Sequence, residues 1–203
     1  MFTAWRLMDL KKIVLASASA RRRDILEQCG ISFEVKVSDV DENIESAGPD
    51  DLVTKLSYLK AKDVFDKTEG PVIVIGSDTV VSYDGKIYGK PKDEEDAVNM
   101  LKTFSGGINT VYSGVAVIVR EEDGSERFEN FSVATKVYFR NITEKQIRAY
   151  VATGEPMDKA GAYAIQGRFA PYIEKVEGDY YNIVGLPICG VVEALERLGE
   201  NVL

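Results

Sequence analysis

Five almost unbroken apolar residues, Pro71 to Ile75 (PVIVI), run straight into Gly76, Ser77, Asp78 and Thr79, and this junction constrains the fold more than any other stretch. A strand apolar on both faces has to be covered on both faces, which implies a sheet with helices packed on either side. The chain therefore reads as α/β with a mixed sheet. An acid at the carboxyl end of such a strand stands where α/β sheets place ligands and chemistry, a turn-capping Asp78 being the plainer alternative.

The remaining elements follow from periodicity and punctuation. Ile13, Val14 and Leu15 form a strand, Ser17 to Ala20 a turn, and Arg21 opens a helix through Ile25 and Leu26 to Gly30. Unpaired N–H groups at a helix start, two serine hydroxyls and three successive arginines suit a polyanion such as a triphosphate. A solvated first turn is the alternative, although cations there oppose the helix dipole. Phe33 to Val37 alternates like a strand and leads into an acidic run holding Asp39, Asp41, Glu42 and Glu45. That run is either a solvated loop or a site for a hard cation.

A helix is expected from Pro49 to Lys67, carrying Lys55, Lys60 and Lys62, lysines of the kind that usually snorkel at a surface. Asp84-Gly85 predicts a hairpin within Thr79 to Tyr88, followed by Lys90 between Gly89 and Pro91. Asp93 starts another helix. Long β-rich stretches cover Ile108 to Arg120 and Glu126 to Arg140, and Thr143 with Gln146 forms a capping box. Gly154 to Gly167 reads as a functional loop with Asp158, Lys159 and Gln166 as candidate ligands. Pro171 to Val176 and Tyr180 to Val184 read as paired strands, and a last helix runs from Pro187 to Leu198.

Composition removes several function classes. The 203 residues suffice for one sizeable domain, or two lobes sharing a sheet, with residues 1–11 as an N-terminal extension and 12–203 as the single folded unit. A net charge of −8 argues against a broad nucleic-acid or anionic-membrane footprint. No apolar run reaches the roughly 18 residues that span a bilayer. Cys29 and Cys189 are distant in sequence and set among apolar residues, which implies reduced core thiols and a cytoplasmic protein. The chain has no histidine, so the commonest general base and transition-metal ligand are both missing.

What the special turns supply is Ser17, Arg21, Arg22, Glu42, Lys60, Asp78, Lys90, Asp158, Lys159 and Gln166. Cations that can cradle phosphates alternate with carboxylates that can hold a divalent ion, the inventory of a metal-assisted phosphoanhydride hydrolase. Neither a P-loop nor a zinc HExxH motif is present.

In order and spacing, LASASARRRDIL, DVDE, LKAKD, GSDTVV, GKP, FSGG, TEKQIRAYV, GEPMDKAGAYAIQG and YNIVGLP resemble the Maf family, the septum formation inhibitor Maf-like proteins. The resemblance runs from Lys12 to Leu198. It implies an elongated mixed β-sheet with two lobes around a central cleft, like that of inosine triphosphatase. It implies a divalent metal, Mg²⁺ or Mn²⁺, a homodimer, and cleavage of a nucleoside triphosphate to its monophosphate and pyrophosphate. Carried over, Asp78, Glu42 and Lys90 form the catalytic set, and Glu42 and Asp78 hold the metal. Arg21, Arg22, Lys60 and Lys90 grip the triphosphate, Ser17 lines the phosphate site, and Thr79, Lys159 and Gln166 complete the substrate contacts. Arg21, Thr79 and Gln166 resemble the branch acting on dTTP and UTP; 7-methyl-GTP pyrophosphatase, or a nucleotide-binding regulator of cell division, is the alternative. Ala20 and Asn109 depart from the family's usual proline and histidine.

Overall fold

The computed structural model describes residues 11–202, so all of the expected N-terminal extension except Lys11 lies outside the described residues. Its spine is β3, Val72–Tyr83. The first part of β3 runs parallel to β1 (Lys12–Leu15), from Lys12 opposite Val72 to Leu15 opposite Ile75. The last part runs antiparallel to β4 (Lys86–Tyr88), from Val81 opposite Tyr88 to Tyr83 opposite Lys86. Between those two partners, Gly76 to Val80 have no strand neighbour on that edge among the described residues. The other edge is paired from Val72 to Ser82 with β5 (Ile108–Arg120), which pairs with β6 (Glu126–Phe139).

β2 (Glu34–Val35) closes one side beyond β1 and β7 (Ile173–Glu177) the other side beyond β6, giving a seven-stranded mixed sheet. Helices cover it in two groups. Ile73 and Ile75, with Val115 and Val117, pack against α1 (Ala20–Gln28) and α6 (Ile188–Arg197). On the opposite face Val72 and Val74 meet Ala61, Val64 and Phe65 of α2 (Pro49–Asp66). This is the two-sided cover demanded by the PVIVI run. The far halves of β3, β5 and β6 form a second core with α3 (Glu94–Phe104) and α4 (Glu144–Val151). Two lobes thus share the same long strands, and the unpaired edge of β3 lies between them.

Several expected features stand. The hairpin turn has positive φ at both Asp84 (48°) and Gly85 (73°), the requirement of a type I′ turn. Asp93 caps α3 by accepting from Asp96 N, and Thr143 and Gln146 form the full capping box of α4. Others need correction. β3 continues through Gly76 to Tyr83, because β5 offers an equally long partner, so Asp78 sits mid-strand rather than at a strand's carboxyl end. Tyr180–Val184 is a short helix, α5, because the Asp179 carboxylate accepts from Tyr181 N and Asn182 N as an N-cap. β7 pairs with β6 instead. β2 is shorter than expected. Cys29 is half-buried, whereas Cys189 stands exposed on α6 and is no core thiol.

Candidate active site

Along the unpaired edge of β3 the two lobes enclose a cavity of about 750 Å³, a size suited to a small-molecule ligand. Strand alternation divides the work of the residues there. Asp78 shares the face of Val72 and Val74 and meets α2, while Ser77 and Thr79 face α1 and α5.

Glycine sets the distance to α2. A Cβ at Gly76 would stand 2.4 Å from the Ser57 carbonyl oxygen, and one at Gly114, opposite Asp78, 2.0 Å from that of Val53. With only hydrogens there, the helix lies directly on the sheet. Lys60 Nζ then comes within 2.7 Å of Asp78 Oδ1 and 2.7 Å of Glu42 Oε1, the latter from the acidic loop after β2. Lys60 and Asp78 side chains are only 13% and 11% exposed, so this contact is shielded from water. One ammonium therefore balances two carboxylates aimed at the same point.

Arg22 occupies the other face. Its Nε donates to Gly185 O at 2.8 Å, Nη1 to Ser77 O at 2.7 Å and Ser17 Oγ at 3.0 Å, and Nη2 to Thr79 Oγ1 at 3.1 Å. Burial pushes its pKa down and Asp78 pushes it back up, but a guanidinium keeps its charge throughout. Four of its five N–H groups are committed to the protein. It holds the turn at Ser17 against β3 and α5, with one N–H uncommitted among the described residues. Ser113 Oγ donates to Asn182 O at 2.9 Å, so in the 2.8 Å contact between Thr79 and Ser113 the proton comes from Thr79. Thr79 accepts from Arg22 and donates to Ser113, which leaves it a lone pair alone.

The second lobe closes the cavity with the loop after α4. Arg21 Nη1 spans the cleft to Asp158 Oδ2 at 3.3 Å, and Lys159 pairs with the other Asp158 oxygen. Burial works against the charged form of Asp158, but Lys159 and Arg21 outweigh it and hold the carboxyl below its ordinary value. Lys90 lines the cavity from the turn after β4 and makes no ion pair among the described residues; Gly161 N donates to Gly89 O and ties that turn to the loop. Gln166 lines it from an exposed position. The structure thus brings Ser17, Arg21, Arg22, Glu42, Lys60, Asp78, Thr79, Lys90, Lys159 and Gln166 to one cavity.

The model of the family described as Maf-like protein matches residues 12–198. The chain belongs to the Maf-like protein family. A relative from Geotalea uraniireducens (strain Rf4), named dTTP/UTP pyrophosphatase, is 50% identical over 188 residues, covering 92% of this chain and 95% of that one. Another of the same name, from Lachnoclostridium phytofermentans, is 46% identical over 192 residues, covering 95% and 98%. Among solved structures, the Staphylococcus aureus Ham1 protein aligns over 94% of this chain and 100% of that one, at 14% identity with a TM-score of 0.43.

The two departures from the family pattern have plain structural settings. Asn109 is fully buried, accepting from the Tyr163 hydroxyl at 2.9 Å and donating to Val137 O at 3.4 Å, so it joins the loop to β6. Ala20 begins α1, where Ser19 is the N-cap without a side-chain hydrogen bond. The residues that sequence reasoning passed over are Gly76, Gly114, Ser77, Ser113, Asn182 and Gly185. Of these only Gly114 carried a signal, because it falls inside the β-rich stretch Ile108 to Arg120, where a glycine marks close approach of another backbone.

Among the described residues no group of three or more carboxylates and thiols gathers as a ready metal cage. Glu42 and Asp78, converging on one cation, fit Mg²⁺ or Mn²⁺ all the same, since such ions are commonly held by one or two carboxylates plus substrate phosphates. No helix among the described residues is long and apolar enough to cross a membrane.

Proposed function

We propose that this chain hydrolyses dTTP and UTP to the monophosphate and pyrophosphate, using Mg²⁺ or Mn²⁺. The observation that carries this reading is the convergence of Glu42, Lys60 and Asp78 in a cavity also lined by Arg21, Lys90 and Lys159. The names of the relatives support the substrate choice. Glu42 and Asp78 would hold the ion, which supplies charge neutralisation at the phosphates. Lys60, Lys90, Lys159 and Arg21 then bear on the triphosphate oxygens, and the turn at Ser17, braced by Arg22, shapes the wall around them. Asp78 orients the attacking water and takes its proton as the α–β phosphoanhydride breaks and pyrophosphate leaves. Gln166 offers an amide that pairs with a carbonyl and imide N–H of a pyrimidine. A cytoplasmic homodimer completes the reading, the compartment supported by two unpaired cysteines and the assembly by family resemblance.

The test is incubation with dTTP, UTP and 7-methyl-GTP, with each metal in turn. We expect monophosphate and pyrophosphate from the first two; no such products from any of the three overturns the proposal. Asp78→Asn should lower kcat about 100-fold or more while nucleotide binding persists, because the proton acceptor is lost and the shape is kept.

A further inference from the structure

The loop that carries Asp158, Lys159 and Gln166 is fastened at its neck by a residue outside the cavity wall. Glu155 opens the loop just after Gly154, whose φ of 74° turns the chain out of α4, and Gly167 closes it. The Arg168 backbone N–H donates to both carboxylate oxygens of Glu155, each at 3.1 Å. From α4 the Tyr150 hydroxyl donates to Glu155 Oε1 at 3.0 Å. Tyr150 is 4% exposed, and burial followed by the Glu155 carboxylate pushes its phenol pKa up, so it remains a donor. A Cβ at Gly167 would lie 2.5 Å from Glu155 Oε1: the carboxylate fills the space a side chain there would need. The main-chain oxygen of Glu155 also accepts from Lys159 Nζ at 3.4 Å.

Both ends of the loop and the helix before it thus meet on one carboxylate. Gln166, exposed and with no hydrogen bond of its own among the described residues, stands one residue from the glycine packed against that carboxylate. We infer that Glu155 is a positioning residue that presents Gln166 and Lys159 to the nucleotide, setting affinity and base preference without taking part in bond cleavage. This rests on the proposed reading of the cavity as a nucleotide site.

The experiment compares wild type, Glu155→Ala and Glu155→Gln in steady-state kinetics with dTTP and dCTP, and in calorimetric binding of a non-hydrolysable α,β-imido dTTP. Glu155→Ala should raise KM and Kd about tenfold, with kcat within about threefold, and narrow the preference for dTTP over dCTP by a similar factor, as a displaced positioning group does. Glu155→Gln, which keeps one acceptor oxygen, should fall between. A merely structural residue would lower the folded fraction, reducing apparent kcat while KM, Kd and base preference hold; that result overturns the inference. If Glu155→Ala does not fold, Tyr150→Phe removes one donor and keeps the Arg168 contact, and unchanged Kd and base preference there overturn it equally. Wild type that binds the analogue but cleaves no triphosphate defeats the proposed activity alone, and the Kd comparison still decides the role of Glu155.

Discussion

Lys60 holds the charge balance of the site, since its ammonium is what lets Glu42 and nearly buried Asp78 face one another. In Lys60→Met the Asp78 carboxylate would be left shielded from water without its partner, a loss of about 1–3 kcal/mol. The melting temperature should fall, and added Mg²⁺ or Mn²⁺ should recover part of the loss by replacing the missing positive charge. A melting temperature indifferent to the substitution, or to metal in the variant, would count against a shared cation position. Asp78 was legible in the sequence because it follows the apolar run that ends at Ile75, whereas Lys60 read as a surface lysine and Glu42 as one acid of a loop that is either solvated or cation-binding, and only the family resemblance gave them their roles. Ser113 and Asn182 were not, because their meaning comes from register and tertiary contact: Ser113 lies opposite Thr79 only through the pairing of β3 with β5. Arg22 could be read as a cation near an anion site, but nothing local says that most of its donors turn inward.

Elements were legible where one signal acted alone and misread where two competed. The long alternation of β5 and β6 and the capping box of α4 needed no tertiary information. Tyr180–Val184 is rich in aromatic and β-branched residues, the usual strand composition, yet an N-cap at Asp179 and the positive φ of 122° at Gly185 make it helical. The apolar stripe of α2 announced a helix but not its closeness to the sheet, which two glycines determine. Gly114→Ala or Gly76→Ala should push α2 away, costing about 2–3 kcal/mol of overpacking. For a chain of this length that is a fall of about 5–10 °C in melting temperature. Because the same shift draws Lys60 from Asp78, turnover should fall further than the folded fraction does. Thermal melts beside kcat measurements check this, and an alanine variant of normal stability and activity would show that the helix is not held at that distance.

At the scale of the molecule, β3 and β5 run through both lobes, so neither core can lose its strands without the other, and unfolding should be a single transition. Its pH dependence follows from which groups are shifted. Glu121 is held below its ordinary value first by Lys11 and then by Arg127, Asp63 chiefly by Lys67, and Glu95 chiefly by Arg148. A carboxylate with a depressed folded pKa binds fewer protons folded than unfolded, so its contribution is present above the unfolded pKa and is lost as pH falls through the folded one. No histidine is available to titrate at intermediate pH. Stability should therefore be nearly flat from about pH 5.5 to 7.5 and decline below about pH 4, where these carboxylates take up protons. Calorimetric melts across that range would show a plateau with an acid edge, whereas a step between pH 6 and 7 would require an ionisable group other than these surface pairs.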